Sequence, residues 1–234
     1  QDKPGIQTYE RSAVLLMLKA FYDVVGRENV ERVCVEYSLS SALFILARGS
    51  FTLDQALLAR VEDRMRALSA QALPIEKRSV NTDDAIDLFR QAGLVHKAQL
   101  LSFRINSRVN VYSLDGFVDY FYGYMVPDTS YVKCFGLELF ENGFVLRLPT
   151  QKNPNELGEF RPSQKVFREL YGSTLRSEAL NASNVAELNT TISQGGAMPL
   201  ILAHEAMMEK KIGDIAEEIA GRKDVRFVMI AGPS

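Results

Sequence analysis

Apolar residues recur at helical spacing from Ser12 to Val25, through Val14, Leu15, Leu18, Phe21 and Val25, and Gly26 follows as a stop. Val33 to Leu39 and Ala42 to Ala47 switch to runs rich in β-branched and aromatic residues. Ser40 and Ser41 lie between them, so the pair predicts a β-hairpin. Thr52 then caps a long amphipathic helix reaching about Ala72, with an apolar stripe through Leu53, Ala56, Leu57, Val61, Met65 and Leu68. Pro74 ends it. Ile75 to Val80 reads as a strand, and Asn81 or Thr82 caps a short helix over Asp83 to Ala92, closed by Gly93.

The middle of the chain is β-rich. Asn110 to Ser113, Gly116 to Tyr120, Tyr131 to Phe140 and Phe144 to Leu148 read as strands, and Asp115-Gly116 and Asn142-Gly143 read as tight-turn pairs. Antiparallel pairing is the expected outcome. Pro149 to Pro162 is polar and proline-bearing and reads as a loop. Helices are predicted over Gln164 to Leu175, Asn184 to Gln194 and Pro199 to Ala220. The last ends at Gly221, before a strand-like apolar run from Arg226. No internal repeat is visible.

Composition narrows the class. With 234 residues, 47% of them hydrophobic, the chain can bury one large core or two modest ones. A formal net charge of -2 argues against affinity built on neutralising many nucleic-acid phosphates. Cys34 and Cys134 lack C-x-x-C or Cys/His ligand spacing and sit in apolar strand-like runs, so buried reduced thiols and a cytoplasmic location are expected. No apolar run approaches the roughly 20 residues that span a bilayer, and no metal site is expected from two histidines and two cysteines in unrelated segments.

The chemistry-bearing motif lies at the end. Arg226 to Ser234, RFVMIAGPS, reads as a buried strand leading into the opening of a phosphate-binding loop, with Gly232, Pro233 and Ser234 as a partial P-loop. Gly-Pro-Ser is equally a common turn. A complete loop needs further backbone N–H groups, a lysine for the terminal phosphates and a hydroxyl for Mg²⁺. The expectation is therefore that the chain is a piece of a longer protein and phosphorylates nothing by itself.

The order of hairpin, long helix, short helix and antiparallel region resembles the second additional, or editing, domain of threonyl-tRNA synthetases. His96 to Leu100 resembles that family's tyrosine-lysine-valine segment. Phe117-Val118-Asp119, Gly123 and Val126-Pro127 resemble its F/Y-V-D-x-C-R-G-P-H-V-P motif. Phe144 to Arg147 resembles its Y-W-R-G strand and Tyr171-Gly172 its later tyrosine-glycine. The likeness runs from about Tyr9 to Leu175. It implies an α+β fold, an antiparallel sheet with a long helix, followed by a helical connector.

The departures change the chemistry. Where the family carries H-x-x-x-H on its first helix and C-x-x-x-H after the V-D, this chain has Arg11, Leu15, Phe121 and Met125. Leu, Phe and Met neither ligate a water-activating metal nor transfer a proton, so the family's deacylation is not expected. The resemblance leaves a remnant cleft of Lys97, Asp119, Arg147, Arg11, Phe121 and Met125. For Lys97 and Asp119, a scaffold ion pair is the competing reading.

Three later segments resemble bacterial uridine kinase-like nucleoside kinases, which carry such a degenerate domain: Val185 to Asn189, His204 to Ile212 with Ile215-Ala216, and Val228 to Ser234. This implies an editing-like domain over 1–176, a helical connector over 177–224, and the start of a P-loop kinase domain over 225–234. The piece would be a binding or regulatory module without a cofactor of its own. Its partners would be the kinase domain in cis and a nucleoside or other small ligand, with ATP and Mg²⁺ serving the parent kinase. The alternatives are a tRNA-editing hydrolase domain and an RNA or small-ligand-binding module. The tyrosines and phenylalanines between Tyr112 and Tyr131 either fill the core or stack bases.

Overall fold

Helix α1 (Lys3–Val25) starts well before the predicted Ser12. Pro4 is tolerated in a first turn, whose N–H groups have no intrahelical acceptor. Ser12 Oγ donates back to the Thr8 carbonyl at 2.7 Å, so it cannot cap. Strands β1 (Val30–Leu39) and β2 (Ala42–Gly49) form the predicted hairpin about Ser40, whose φ is 57°. Helix α2 (Gln55–Ala70) is capped by Asp54, not Thr52, because the Asp54 carboxylate accepts the Leu57 N–H at 2.7 Å. These and the following elements come from a computed structural model that describes residues 3–232.

A three-stranded antiparallel sheet follows in the order β3 (Glu76–Asn81), β4 (Arg108–Leu114), β5 (Phe117–Tyr120). Asp115 and Gly116, both at positive φ, turn β4 into β5 as predicted. Between β3 and β4 lie α3 (Thr82–Gln91) and α4 (Val95–Ser102). The second of these was not predicted. The other sheet runs β1-β2-β7-β6, with β6 (Gly136–Phe140) and β7 (Gly143–Arg147) antiparallel.

Two predicted details of that sheet differ. The turn between β6 and β7 is Glu141-Asn142, and Gly143 instead faces Phe140 as the first residue of β7. A Cβ on Gly143 would lie 2.4 Å from the Ile45 carbonyl and 2.8 Å from the Phe44 ring, so only glycine admits that approach. Gly143→Ala is expected to cost about 2 kcal/mol of stability through the forced backbone shift, read as a lower urea midpoint.

The predicted strand over Tyr131 to Phe140 is also shorter. A 3₁₀ turn occupies Thr129–Tyr131, capped by Asp128, and only Gly136 onward enters the sheet. The polar groups in between go to side chains. Ser69 Oγ donates to the Val132 carbonyl at 2.7 Å, and the Tyr9 hydroxyl both donates to the Cys134 carbonyl and accepts its N–H. Cys134 is therefore in a loop rather than a strand. Both cysteines are free and half-buried, and burial first, then Glu36, pushes the Cys34 thiol up to about 12.

The main core packs α1 and α2 against β2 and β7, with Phe21, Leu58, Met65 and Phe144 fully buried. A smaller core lies between α3, α4 and the three-stranded sheet, around Phe89, Leu101 and Val111. A third, aromatic cluster sets Phe167 of α5 (Gln164–Ala179) against Phe44, Tyr37 and Phe140.

The chain separates into two compact units, one up to Gly172 and one from Ser173. The second contains α6 (Val185–Ser193), capped by Asn184, and α7 (Ala197–Gly221). Beyond Gly221 the predicted strand from Arg226 does not form among the described residues. Phe227, Met229 and Ile230 are almost fully exposed there, and no strand of the described residues takes their backbone hydrogen bonds. Gly232 lies in this irregular stretch, and Pro233 and Ser234 lie outside the described residues.

Candidate functional site

Strand β5 alternates its side chains, so Phe117 and Asp119 turn inward while Val118 and Tyr120 turn to the opposite face. Asp119 is thereby carried into the interior, its side chain only 1% exposed. Its Oδ1 accepts from Lys97 Nζ and from the Tyr120 N–H. Its Oδ2 is buried and has no hydrogen-bond partner among the described residues. Lys97 comes from α4, where Ala98 and Leu101 are anchored in the small core and the lysine side chain stays 33% exposed.

The charge of Asp119 reaches Tyr22 on α1. Burial raises the Tyr22 hydroxyl, Arg27 on its ring pulls it down, and Asp119 and Cys34 push it up again. Arg27 lies 4.6 Å from the Tyr22 ring centroid, and the Tyr22 ring meets Phe117 at 5.4 Å. Sequence reasoning did not single out Tyr22. Its signal there, an aromatic on the core face of a helix, is shared by many packing residues.

After β5 the chain crosses α1. Arg11 Nε donates to the Tyr124 carbonyl at 2.9 Å and the Val126 N–H donates to Ser12 Oγ at 3.0 Å. Gly123 makes the crossing possible: its φ is 92°, and a Cβ there would sit 2.8 Å from the Arg11 guanidinium carbon. Leu15 is fully buried in the main core, and Phe121 and Met125 pack against the same core. The seam between α1 and residues 121–126 is thus lined by Arg11, held by the Tyr124 carbonyl and Thr8, by the Ser12 hydroxyl, engaged both as donor and as acceptor, and by the apolar side chains of Leu15, Phe121 and Met125. The imidazole and thiol chemistry of the resembled motif is absent from Arg11, Leu15, Phe121 and Met125.

Arg147 is engaged elsewhere. It lies on β7, donates to Glu138 at 3.2 Å and to the Gly158 carbonyl at 2.9 Å, and its buried Nε is without a partner among the described residues. Its polar contacts are thus to β6 and to the 150–162 loop, while Lys97 and Asp119 meet at the edge of the three-stranded sheet. His96 and His204 are both exposed. Among the described residues no group of three or more His, Cys, Asp or Glu side chains is arranged to hold a metal ion. No helix there is long and apolar enough to cross a membrane.

The aromatic residues divide between the two predicted roles. Tyr112 and Phe117 are buried, but Tyr122 and Tyr124 are 68% and 74% exposed. Both carry a cation: Arg104 lies 5.3 Å from the Tyr122 ring centroid and Lys77 4.5 Å from that of Tyr124. Arg104 also donates to the Tyr120 hydroxyl, which burial and a hydrogen bond shared with Tyr122 push up to about 12. Exposed rings flanked by cations offer flat, positively charged faces.

An α+β domain with antiparallel sheets, a long helix packed on them and an inward aspartate on β5 is compatible with a threonyl-tRNA synthetase editing-like domain. The threonine–tRNA ligase of Geobacter sp. (strain M21) is 39% identical over 80 residues, 34% of this chain and 13% of that ligase. That of Syntrophotalea carbinolica is 31% identical over 136 residues, 57% of this chain and 21% of the ligase. That of Citrifermentans bemidjiense is 36% identical over 80 residues. The chain spans about a fifth of the length of these relatives or less. No protein-family model matches it. The chain therefore has partial homology, at modest identity, to threonyl-tRNA synthetases.

Proposed function

We propose that residues 1–176 form a binding module built like the threonyl-tRNA synthetase editing domain but without its hydrolytic groups, and that it holds the aminoacylated adenosine end of a tRNA or a small ligand of the same chemistry. The observation that carries this is Asp119. A buried carboxylate with one oxygen on Lys97 and the Tyr120 N–H, and the other without a donor among the described residues, is costly unless an ammonium or hydroxyl completes it. Tyr122 and Tyr124, three and five residues downstream with cations on their rings, supply a face for a base.

The absence of proton-transferring side chains at Arg11, Leu15, Phe121 and Met125 supports binding rather than turnover. The helical connector over 177–224 belongs to the same reading. The nucleoside-kinase assignment, with ATP and Mg²⁺, rests on the resemblance of Val185 to Asn189, His204 to Ile212 and Val228 to Ser234. The homologues favour the aminoacyl-tRNA side of the resemblance.

The test is calorimetric titration with an amide-linked aminoacyl-adenosine, beside a deacylation assay on charged tRNA. Saturable binding without deacylation is expected, and Tyr122→Ala and Asp119→Asn should each weaken it about tenfold, the loss of one stacking or one charge-assisted contact. Deacylation above the uncatalysed rate would move the chain to the hydrolase class. Binding left unchanged by both variants would place the ligand elsewhere.

A further inference from the structure

α7 has two apolar faces. Leu200, Ala203 and Met207, along one of them, are half-buried. A separate seam of Met198, Ile201, Met208, Ile212, Ile215 and Ile219 is exposed along the helix. With Glu205, these residues alternate three and four apart over three heptads. Met198, Glu205, Ile212 and Ile219 take one core position of the repeat, and Ile201, Met208 and Ile215 take the other.

A 3.5-residue repeat is the pattern a second helix fills by knobs-into-holes packing. The seam is bordered by Glu209, Lys211 and Glu218, and Lys210, Asp214 and Glu217 lie on the outer face of the helix. A helix this rich in acid is repelled by an anionic lipid surface, which calls for a basic polar face. A partner helix therefore fits better than a membrane.

We propose that α7 pairs with α7 of a second copy of this chain as a parallel, two-stranded coiled coil. Charge selects the direction. In the parallel alignment the flanking positions set His204 beside Glu209 of the second copy and Lys211 beside Ala216. The antiparallel alignment that matches the same apolar layers also sets His204 beside Glu218, but it puts Glu209 against Glu209 and Lys211 against Lys211, two like-charged contacts that the parallel alignment lacks. Glu205 is the one polar layer of the seam. It weakens the pair but disfavours a trimer more, since three carboxylates would then converge on the axis.

The full 234-residue chain is the material for the test, by sedimentation velocity. A dimer is expected that dissociates on dilution. The double variant Ile212→Glu, Ile215→Glu should be monomeric with unchanged thermal unfolding of the first unit. Glu205→Ile should tighten the dimer by about tenfold or more, because it removes the only charged layer. Met198→Cys should cross-link to itself under oxidation only if the helices are parallel. A monomer at about 100 µM, a concentration at which a weak pair is populated by mass action, overturns the proposal. So does a dimer that survives the double variant, or a dimer or trimer in which Met198→Cys gives no cross-link.

Discussion

Replacing Phe144 with alanine is expected to destabilise the first unit by about 4 kcal/mol, within the range for deleting a fully buried aromatic side chain. Phe144 is fully buried and pairs across β7 with Ile45 on one side and Leu139 on the other. Its ring lies parallel to that of Phe21 from α1, with centroids 5.9 Å apart, and Phe21 in turn meets Phe51 edge-on at 5.4 Å. The truncation opens a cavity where a helix, a central strand and a loop meet. Urea unfolding followed by circular dichroism gives the measurement. A loss below about 1 kcal/mol, the cost of an ordinary surface-like change, would show that this contact does not organise the core.

Lys97→Met is expected to cost about 2 kcal/mol. Removing one partner of a buried pair leaves an uncompensated charge, worth roughly 3–5 kcal/mol when both groups are buried, and the partial exposure of Lys97 reduces that figure. The contrast is Asp87→Ala, which breaks the Arg90–Asp87 pair. Those side chains are 63% and 69% exposed, so its loss should be within about 0.5 kcal/mol. The double variant Lys97→Met, Asp119→Leu should recover most of the loss, since it removes the orphaned carboxylate as well. Equal effects of Lys97→Met and Asp87→Ala would mean that the Lys97–Asp119 pair is solvated and that Asp119 has no need of a ligand donor.

Much of the fold was legible because it rests on local rules. The 3.6-residue stripes of α1 and α2, the hairpin about Ser40-Ser41 and the Asp115-Gly116 turn each express a preference of a few neighbouring residues, and tertiary packing did not oppose them. Asp54 rather than Thr52 caps α2, which local chemistry permits equally and the carboxylate geometry decided. α4 was missed because eight residues with two buried positions leave little periodicity to read.

The candidate site was legible only by resemblance. Lys97 and Asp119 are 22 residues apart and meet because α4 packs on the sheet that carries β5, a relation no local pattern encodes. Arg147 shared their motif status, yet its strand belongs to the other sheet, where Glu138 and Gly158 hold it. Residues 226–230 show the reverse case, an apolar strand-like run that forms no strand because β structure requires a second strand to exchange hydrogen bonds with. By itself the sequence determined the helices other than α4, the hairpins about Ser40-Ser41 and Asp115-Gly116, and the presence of Arg11, Leu15, Phe121 and Met125 where the resembled editing domains carry imidazole and thiol groups. Only the tertiary structure decided that Gly143 serves a close approach rather than a turn, that Asp119 is buried with one oxygen unpartnered among the described residues, and that Tyr122 and Tyr124 face solvent, because each depends on what a distant segment brings against it.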